Sequence, residues 1–307
     1  MEFSPNDFVI EGVSSTEEQE RLASRPVTYA RDAWSRFRKN KIAVAAAILL
    51  LLLVLLVVFG PLVSTYPVAE RANARARNLA PSAEHWFGTD SIGRDLFTRT
   101  CIGGRASIAI GLTGAVIVIV LGSLYGGLAA LLGGRADDLM MRVVDIFSSV
   151  PNLLVIILVS VVIDSKSIAA MIFAMTITGW CPTARIVRSQ MLQISRSEYV
   201  TAARLMDISP VKIVLRHLIP NTMSVILVDT TFRIPGFIFN EAFLSYVGLG
   251  VQPPQTSWGS LAAAAQGMFQ FYPWQLLFPA GAIALTMLAF TLLGDGLRDA
   301  LDPRLRR

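Results

Sequence analysis

Charged side chains are scarce in this sequence. They make up 16% of its 307 residues, against about a quarter in ordinary soluble domains, so a conventional water-soluble globule is excluded. The two cysteines, Cys101 and Cys181, fall on different segments and suggest neither a disulfide framework nor a metal site. Histidine is equally sparse. His85 and His217 are the only two, and no HExxH or GxSxG motif is present, so an intramembrane hydrolase lacks a base beside a nucleophile. There is no GxxxxGK(S/T) phosphate loop, and the chain is therefore not expected to hydrolyse ATP itself. The ten-residue alternation of a membrane β-barrel is absent. So are the inverted repeats and paired broken helices common in secondary transporters. No sequence repeat, low-complexity tract or soluble catalytic domain is seen.

What the chain has instead is long apolar runs. A membrane-crossing helix needs about 20 mainly apolar residues, and six runs qualify: 42–63, 106–132, 139–163, 168–181, 219–247 and 274–293. The fourth is short and is expected to extend in both directions. Unpaired backbone polar groups in lipid are expensive, so these spans must be helices. The prediction is an all-α membrane protein with six transmembrane helices. About 40 polar residues precede the first run, which therefore reads as an uncleaved span rather than a signal peptide. The N-terminal tail, acidic at Glu2, Asp7, Glu11, Glu17, Glu18 and Glu20, is expected to be loosely ordered.

Lys and Arg set the orientation. With the N-terminus inside, the cytoplasmic segments hold Arg36, Arg38, Lys39, Lys41, Arg135, Arg142, Arg185, Arg188, Arg196, Arg204, Lys212, Arg216, Arg298, Arg304, Arg306 and Arg307. The outer segments hold Arg71, Arg75, Arg77, Arg94, Arg99, Arg105 and Lys166. The sum favours both termini in the cytoplasm, although the first outer loop is unusually basic for its side. The net charge of +5 then reflects topology, and no nucleic-acid partner is expected. The expected organisation is a cytoplasmic tail 1–38, a first span 39–63, an outer loop 64–104, a five-helix core 105–297 carrying a cytoplasmic loop 195–221, and a tail 298–307.

Within the spans, Gly122 and Gly126 form a GxxxG, which suits either internal packing or a contact with a second subunit. Pro151, beside Asp145, Ser148, Ser149 and Asn152, is expected to break the third span. The fifth span carries Asp229, Arg233 and Glu241, each costly at a helix centre. Asp229 and Arg233 are four apart and can pair on one face. They are either a self-neutralising structural pair or, with Glu241, residues facing a translocation pathway, and Pro235-Gly236 would loosen the helix beside them.

The most distinctive segment is EYVTAARLMDISPVKIVLRHLIPN, residues 198–221. Its first part is rich in helix formers. Ser209-Pro210 is a helix-start signal, and Val211, Val214, Leu215 and Leu218 then fall on one face. Lys212 and Arg216 lie on another. Asp207 sits at the joint, where Asp tolerates a left-handed backbone. Two short helices around a turn would lie either on anionic lipid or against a cytosolic partner.

The pattern Tyr199-Val200, Ala202-Ala203-Arg204, Ser209 and Arg216-His217-x-Ile219-Pro220-Asn221 resembles the coupling loop of ABC importer permeases, closest to the dipeptide/oligopeptide/nickel family. Thr201 and Asp207 replace the Glu and Gly usual there. His85-Trp86-Phe87-Gly88-Thr89-Asp90, Gly93-Arg94-Asp95, Glu241-Ala242, Leu244-Ser245, Gly248-Leu249-Gly250, Pro253-Pro254, Ser257-Trp258-Gly259 and Gly294-Asp295-Gly296-Leu297-Arg298-Asp299 resemble the C-type subunit. The resemblance implies a type I importer permease of the cytoplasmic (inner) membrane. It implies a homologous second permease, two ABC ATPase subunits that hold ATP and magnesium, and an extracytoplasmic solute-binding protein. The chain itself would bind no cofactor. Tyr199, Ala202, Ala203, Arg204, Asp207, Ser209, Lys212, Arg216, His217 and Pro220 would carry the coupling. The expected cargo is di- or oligopeptides, with nickel or glutathione-like solutes as alternatives and ATP-independent transport as a more distant one.

Overall fold

The computed structural model describes residues 29–66, 71–165 and 167–302. Within helices, the side chains of Tyr29, Ala30, Arg204, Pro210, Val211, Leu215 and His217 lie outside the described set. So do the acidic N-terminal tail, Lys166 and the arginines at 304, 306 and 307.

Twelve helices can be followed among the described residues: α1 Tyr29–Lys39, α2 Lys41–Val63, α3 Leu96–Leu132, α4 Gly134–Ser149, α5 Asn152–Ile163, α6 Ile168–Gly179, α7 Cys181–Ser195, α8 Glu198–Leu205, α9 Pro210–Ile213, α10 Ile219–Tyr246, α11 Trp258–Ala265 and α12 Trp274–Leu301. α2, α3, α10 and α12 are each long and apolar enough to cross a bilayer. α4 with α5, bent by 78°, and α6 with α7, bent by 45°, make six spans if each bent pair counts as one. The first break falls at Val150-Pro151, where proline cannot continue the helical hydrogen bonding.

α3 is the central post, contacting α2, α6, α7, α10 and α11. Its GxxxG serves internal packing. A Cβ on Gly126 would sit 2.2 Å from the Ala184 carbonyl oxygen, and one on Gly122 would sit 2.7 Å from Thr183 Cβ. Only glycine lets α7 approach this closely. Ile110, Val118, Ile156, Met175, Phe237, Ile238 and Leu244 form the main core where α3, α5, α6 and α10 meet.

Several boundaries differ from expectation. α3 begins at Leu96, inside the stretch 64–104 expected as loop, because Asp95 caps it by accepting from the Thr98 amide at 2.9 Å. The fourth span grows only toward its C-terminal end, reaching Ser195, since Ser167 caps α6 at the other end. α1 falls in the expected N-terminal tail, and α12 continues to Leu301 past the expected boundary at 297. α11 was not anticipated. It is started by Ser257, whose hydroxyl accepts from Ser260 N while Ser260 returns a bond to the Ser257 amide.

The segment 71–95 is an ordered cap. Asp90 accepts from the backbone amides of Ile92 and Arg94 and pairs with the Arg94 and Arg99 guanidiniums at 2.7 and 2.5 Å. Burial raises the Asp90 pKa, but the Arg94 hydrogen bonds and the Arg94 and Arg99 charges outweigh it and hold the carboxyl below its ordinary value. His85 is buried against Asp95 at 2.9 Å. The cap rests on α12 through Phe87 stacked on Phe278 and through Gln275, which donates to Asn78 Oδ1 and the Thr89 carbonyl.

Candidate functional site

Three constellations gather the residues singled out by the sequence, at three levels of the helical bundle.

The first is the surface turn between α8 and α9. α8 ends where Met206 N donates to the Ala202 carbonyl and Ile208 N reaches back five residues to the Ala203 carbonyl, a Schellman-type closure. That closure requires a left-handed residue between them. Asp207 supplies it with φ of 55°, as its place at the joint predicted. Val200, Ala203, Ile213 and Leu218 are buried against Ile119, Val187, Met191 and Ile226 of α3, α7 and α10, which fix the turn onto the bundle. Tyr199, Ala202, Asp207, Ser209, Lys212, Arg216 and Pro220 are all exposed.

Ala203, expected among the coupling residues, is only 2% exposed and belongs to the inner packing. Two residues the sequence reading passed over, Leu205 and Met206, are 84% and 69% exposed. Large apolar side chains directly preceding a left-handed turn were the available signal. The backbone continues from α9 through a π-helical turn, Val214–Leu218, into α10 without a loop. Such turns are rare and frequent at functional sites.

The second constellation lies midway along α10. Asp229 Oδ2 accepts from Thr183 Oγ1 at 2.8 Å and from Arg233 Nε at 3.2 Å. The expected one-turn pair is therefore formed, and Thr183 of α7 is an added donor the sequence did not disclose. Asp229 also lines a cleft of about 650 Å³ between α7, α10 and α12, together with Gln190, Gln193, Ser224, Phe232 and Arg298.

The third is Glu241, twelve residues beyond Asp229 and so roughly 18 Å further along the helix. It was expected to face a pathway and does not: its side chain is fully buried in this chain. Its carboxylate accepts from Ser257 at 2.6 Å, Ser245 at 2.8 Å and Ser107 at 3.1 Å. Ser107 in turn accepts from the Trp258 amide, and Trp258 Nε1 donates to the Thr100 carbonyl. Glu241 thus fastens α11 to α3 and α10. A buried carboxylate is tolerable with this many donors, which is the physical reason the side chain points inward. Among the described residues no group of three His, Cys, Asp or Glu could hold a metal ion.

These features match a known family. Residues 118–307 fit the model of the binding-protein-dependent transport system inner membrane component, and residues 28–81 fit the N-terminal TM domain of oligopeptide transport permease C. The oligopeptide transport system permease protein OppC of Bacillus subtilis is 43% identical over the whole of both chains. The dipeptide transport system permease protein DppC of the same organism is 43% identical over 99% of this chain and 94% of its own. The Escherichia coli K12 OppC is 41% identical over 89% and 90%. Among solved structures, a chain of the inward-facing MetNI methionine ABC transporter superposes with a TM-score of 0.54 at 18% identity, covering 65% of this chain and 94% of that one. The fold is that of a type I ABC importer permease, and the chain belongs to the family of inner membrane components of binding-protein-dependent transport systems.

Proposed function

We propose that this chain is one of two membrane subunits of an ATP-driven peptide importer, with the α8–α9 turn as the socket for an ATPase. The observation that carries the proposal is the exposed Leu205-Met206 pair ahead of the left-handed Asp207, on a foot continuous with α10. Exposed Leu and Met at a rigid, protruding turn favour burial in a protein groove over solvent. Tyr199, Ala202, Arg204, Asp207, Ser209, Lys212, Arg216, His217 and Pro220 form the surrounding coupling surface, while Ala203 holds it from inside.

The relatives named for oligopeptide and dipeptide transport support peptides as the cargo. The partners are a homologous permease, two ATPases that bind ATP and magnesium, and an extracytoplasmic solute-binding protein. Both termini face the cytoplasm, with 1–38 and 298–307 as its flanking segments and 195–221 as the coupling loop. Asp229 and Arg233, beside the cleft, contact the translocation pathway, where a peptide's charged ends need polar compensation. Closure of the ATPases shifts the bundle between inward- and outward-facing populations.

The test is reconstitution of the four-subunit complex in vesicles with its binding protein. ATPase activity should rise with peptide-loaded binding protein and peptide should accumulate inside. Stimulation by a nickel chelate or glutathione alone would reassign the cargo. Uptake by this chain without any ATPase would overturn the importer reading.

A further inference from the structure

The first outer segment is basic on the side of the membrane where Lys and Arg are normally few, and the structure divides its arginines into two groups. Arg94 and Arg99 are consumed by Asp90. Arg105 donates to the carbonyls of Val57 and Val58 at the end of α2. These three are internal fastenings. Arg71, Arg75 and Arg77 are different: all three are exposed, and none forms an ion pair among the described residues.

Their backbone is nevertheless held firmly. Asn73 N donates to the Gly93 carbonyl, Asn78 N to the Asp90 carbonyl, and Thr89 Oγ1 to the carbonyl of buried Ala76, between Arg75 and Arg77. Gly93 has φ of +81°, and a Cβ there would lie 1.9 Å from the Asn73 carbonyl oxygen, so this contact depends on glycine. Among the described residues the nearby acids are already occupied: Asp90 and Asp95 by the pairs above, and Glu84 by the Tyr66 hydroxyl. The same segment exposes Leu79 and Trp86, and Arg with Trp is the composition favoured in protein interfaces.

We infer that Arg71, Arg75 and Arg77 form a pre-organised docking surface for an acidic face of the solute-binding protein. The inference rests on the importer reading and its orientation, and it names the part of the permease that the binding protein meets first. The cap is seated on Phe278 and Gln275 at the start of α12, so it projects from the outer ends of the helices rather than lying along their lipid-facing sides. That position suits a protein partner better than lipid headgroups. Charges held on a rigid loop steer an oppositely charged partner and raise its association rate.

The experiment uses the reconstituted complex and the binding protein that stimulates the wild-type ATPase, with R71Q/R75Q/R77Q and R71K/R75K/R77K permeases. At low salt the Gln variant should need about tenfold more binding protein for half-maximal stimulation, with a shallower salt dependence. The Lys variant should remain close to wild type, and both should melt like wild type. An unchanged half-saturating concentration in a properly folded Gln variant would overturn the inference. So would a defect that vanishes when anionic lipid is replaced by phosphatidylcholine, which would give the patch to lipid. If no binding protein stimulates even the wild-type complex, the importer reading itself falls, and this inference falls with it.

Discussion

Replacing Leu205 and Met206 together by serine should detach the permease from its ATPases without unfolding it. The two side chains are 84% and 69% exposed, so the free permease loses little, within roughly 0.5 kcal/mol as for most surface changes. In the complex the balance differs. Full burial of a Leu or Met side chain is worth about 1.5–3 kcal/mol. Scaled by the exposed fractions, the pair contributes roughly 2–5 kcal/mol on docking, a loss of about 30- to 5,000-fold in affinity. The assay is titration of labelled ATPase subunits onto the permease pair in lipid nanodiscs, with thermal unfolding measured on the same samples. Ala203→Glu is the informative contrast. At 2% exposure the new carboxylate is forced into the packing of Val200, Ile213 and Met191, so binding and melting temperature should fall together. If the double serine variant binds ATPase within threefold of wild type while folded, the turn is not what the ATPase buries.

Three further outcomes are expected. Glu241→Leu leaves the hydroxyls of Ser107, Ser245 and Ser257 without their acceptor and should destabilise the permease by about 3–5 kcal/mol, with Glu241→Gln milder, as measured by thermal unfolding in detergent. Because the folded-state pKa of Asp90 is lowered, its contribution is present above the unfolded value of about 3.9 and is lost as pH falls through the lower folded value. Asp90→Asn should therefore lower the melting temperature at neutral pH, and the gap from wild type should close as the medium is acidified below about pH 4. Gly93→Ala should disrupt the outer cap, seen as faster proteolysis within 71–95, because both its φ and the Asn73 contact exclude a side chain.

The membrane spans were legible because hydropathy is a property of each segment alone. The left-handed Asp207 and the Asp229–Arg233 pair were legible for the same reason: each depends on neighbours within one helical turn. What escaped were features made by distant partners. Glu241 read as a pathway charge because nothing near it in sequence shows Ser107, 134 residues away. The outer stretch 64–104 read as loop because its order comes from Asp90 gathering Arg94 and Arg99 and from Gln275 reaching across from α12. Ala203 belongs to a matching pattern, but a pattern does not say which of its small residues face inward. α11 is eight residues long, too short for periodicity to separate it from the rest of the loop.

The unbroken helical path from Pro210 to Tyr246 has a mechanical meaning. A loop between the socket and the membrane would act as a slack tether and absorb a push before the bundle felt it. Here the turn and α10 are one strut, so a tilt imposed at the α9 end displaces Asp229 in the same stroke. Its compliant points are local, at the π-turn and at Pro235-Gly236, the places where the strut can flex rather than slip. If the turn is the ATPase socket proposed above, stiffness sets how fast the cleft follows ATPase closure, and lengthening the foot by inserted glycines should delay peptide uptake, measured in vesicles, without weakening ATPase binding.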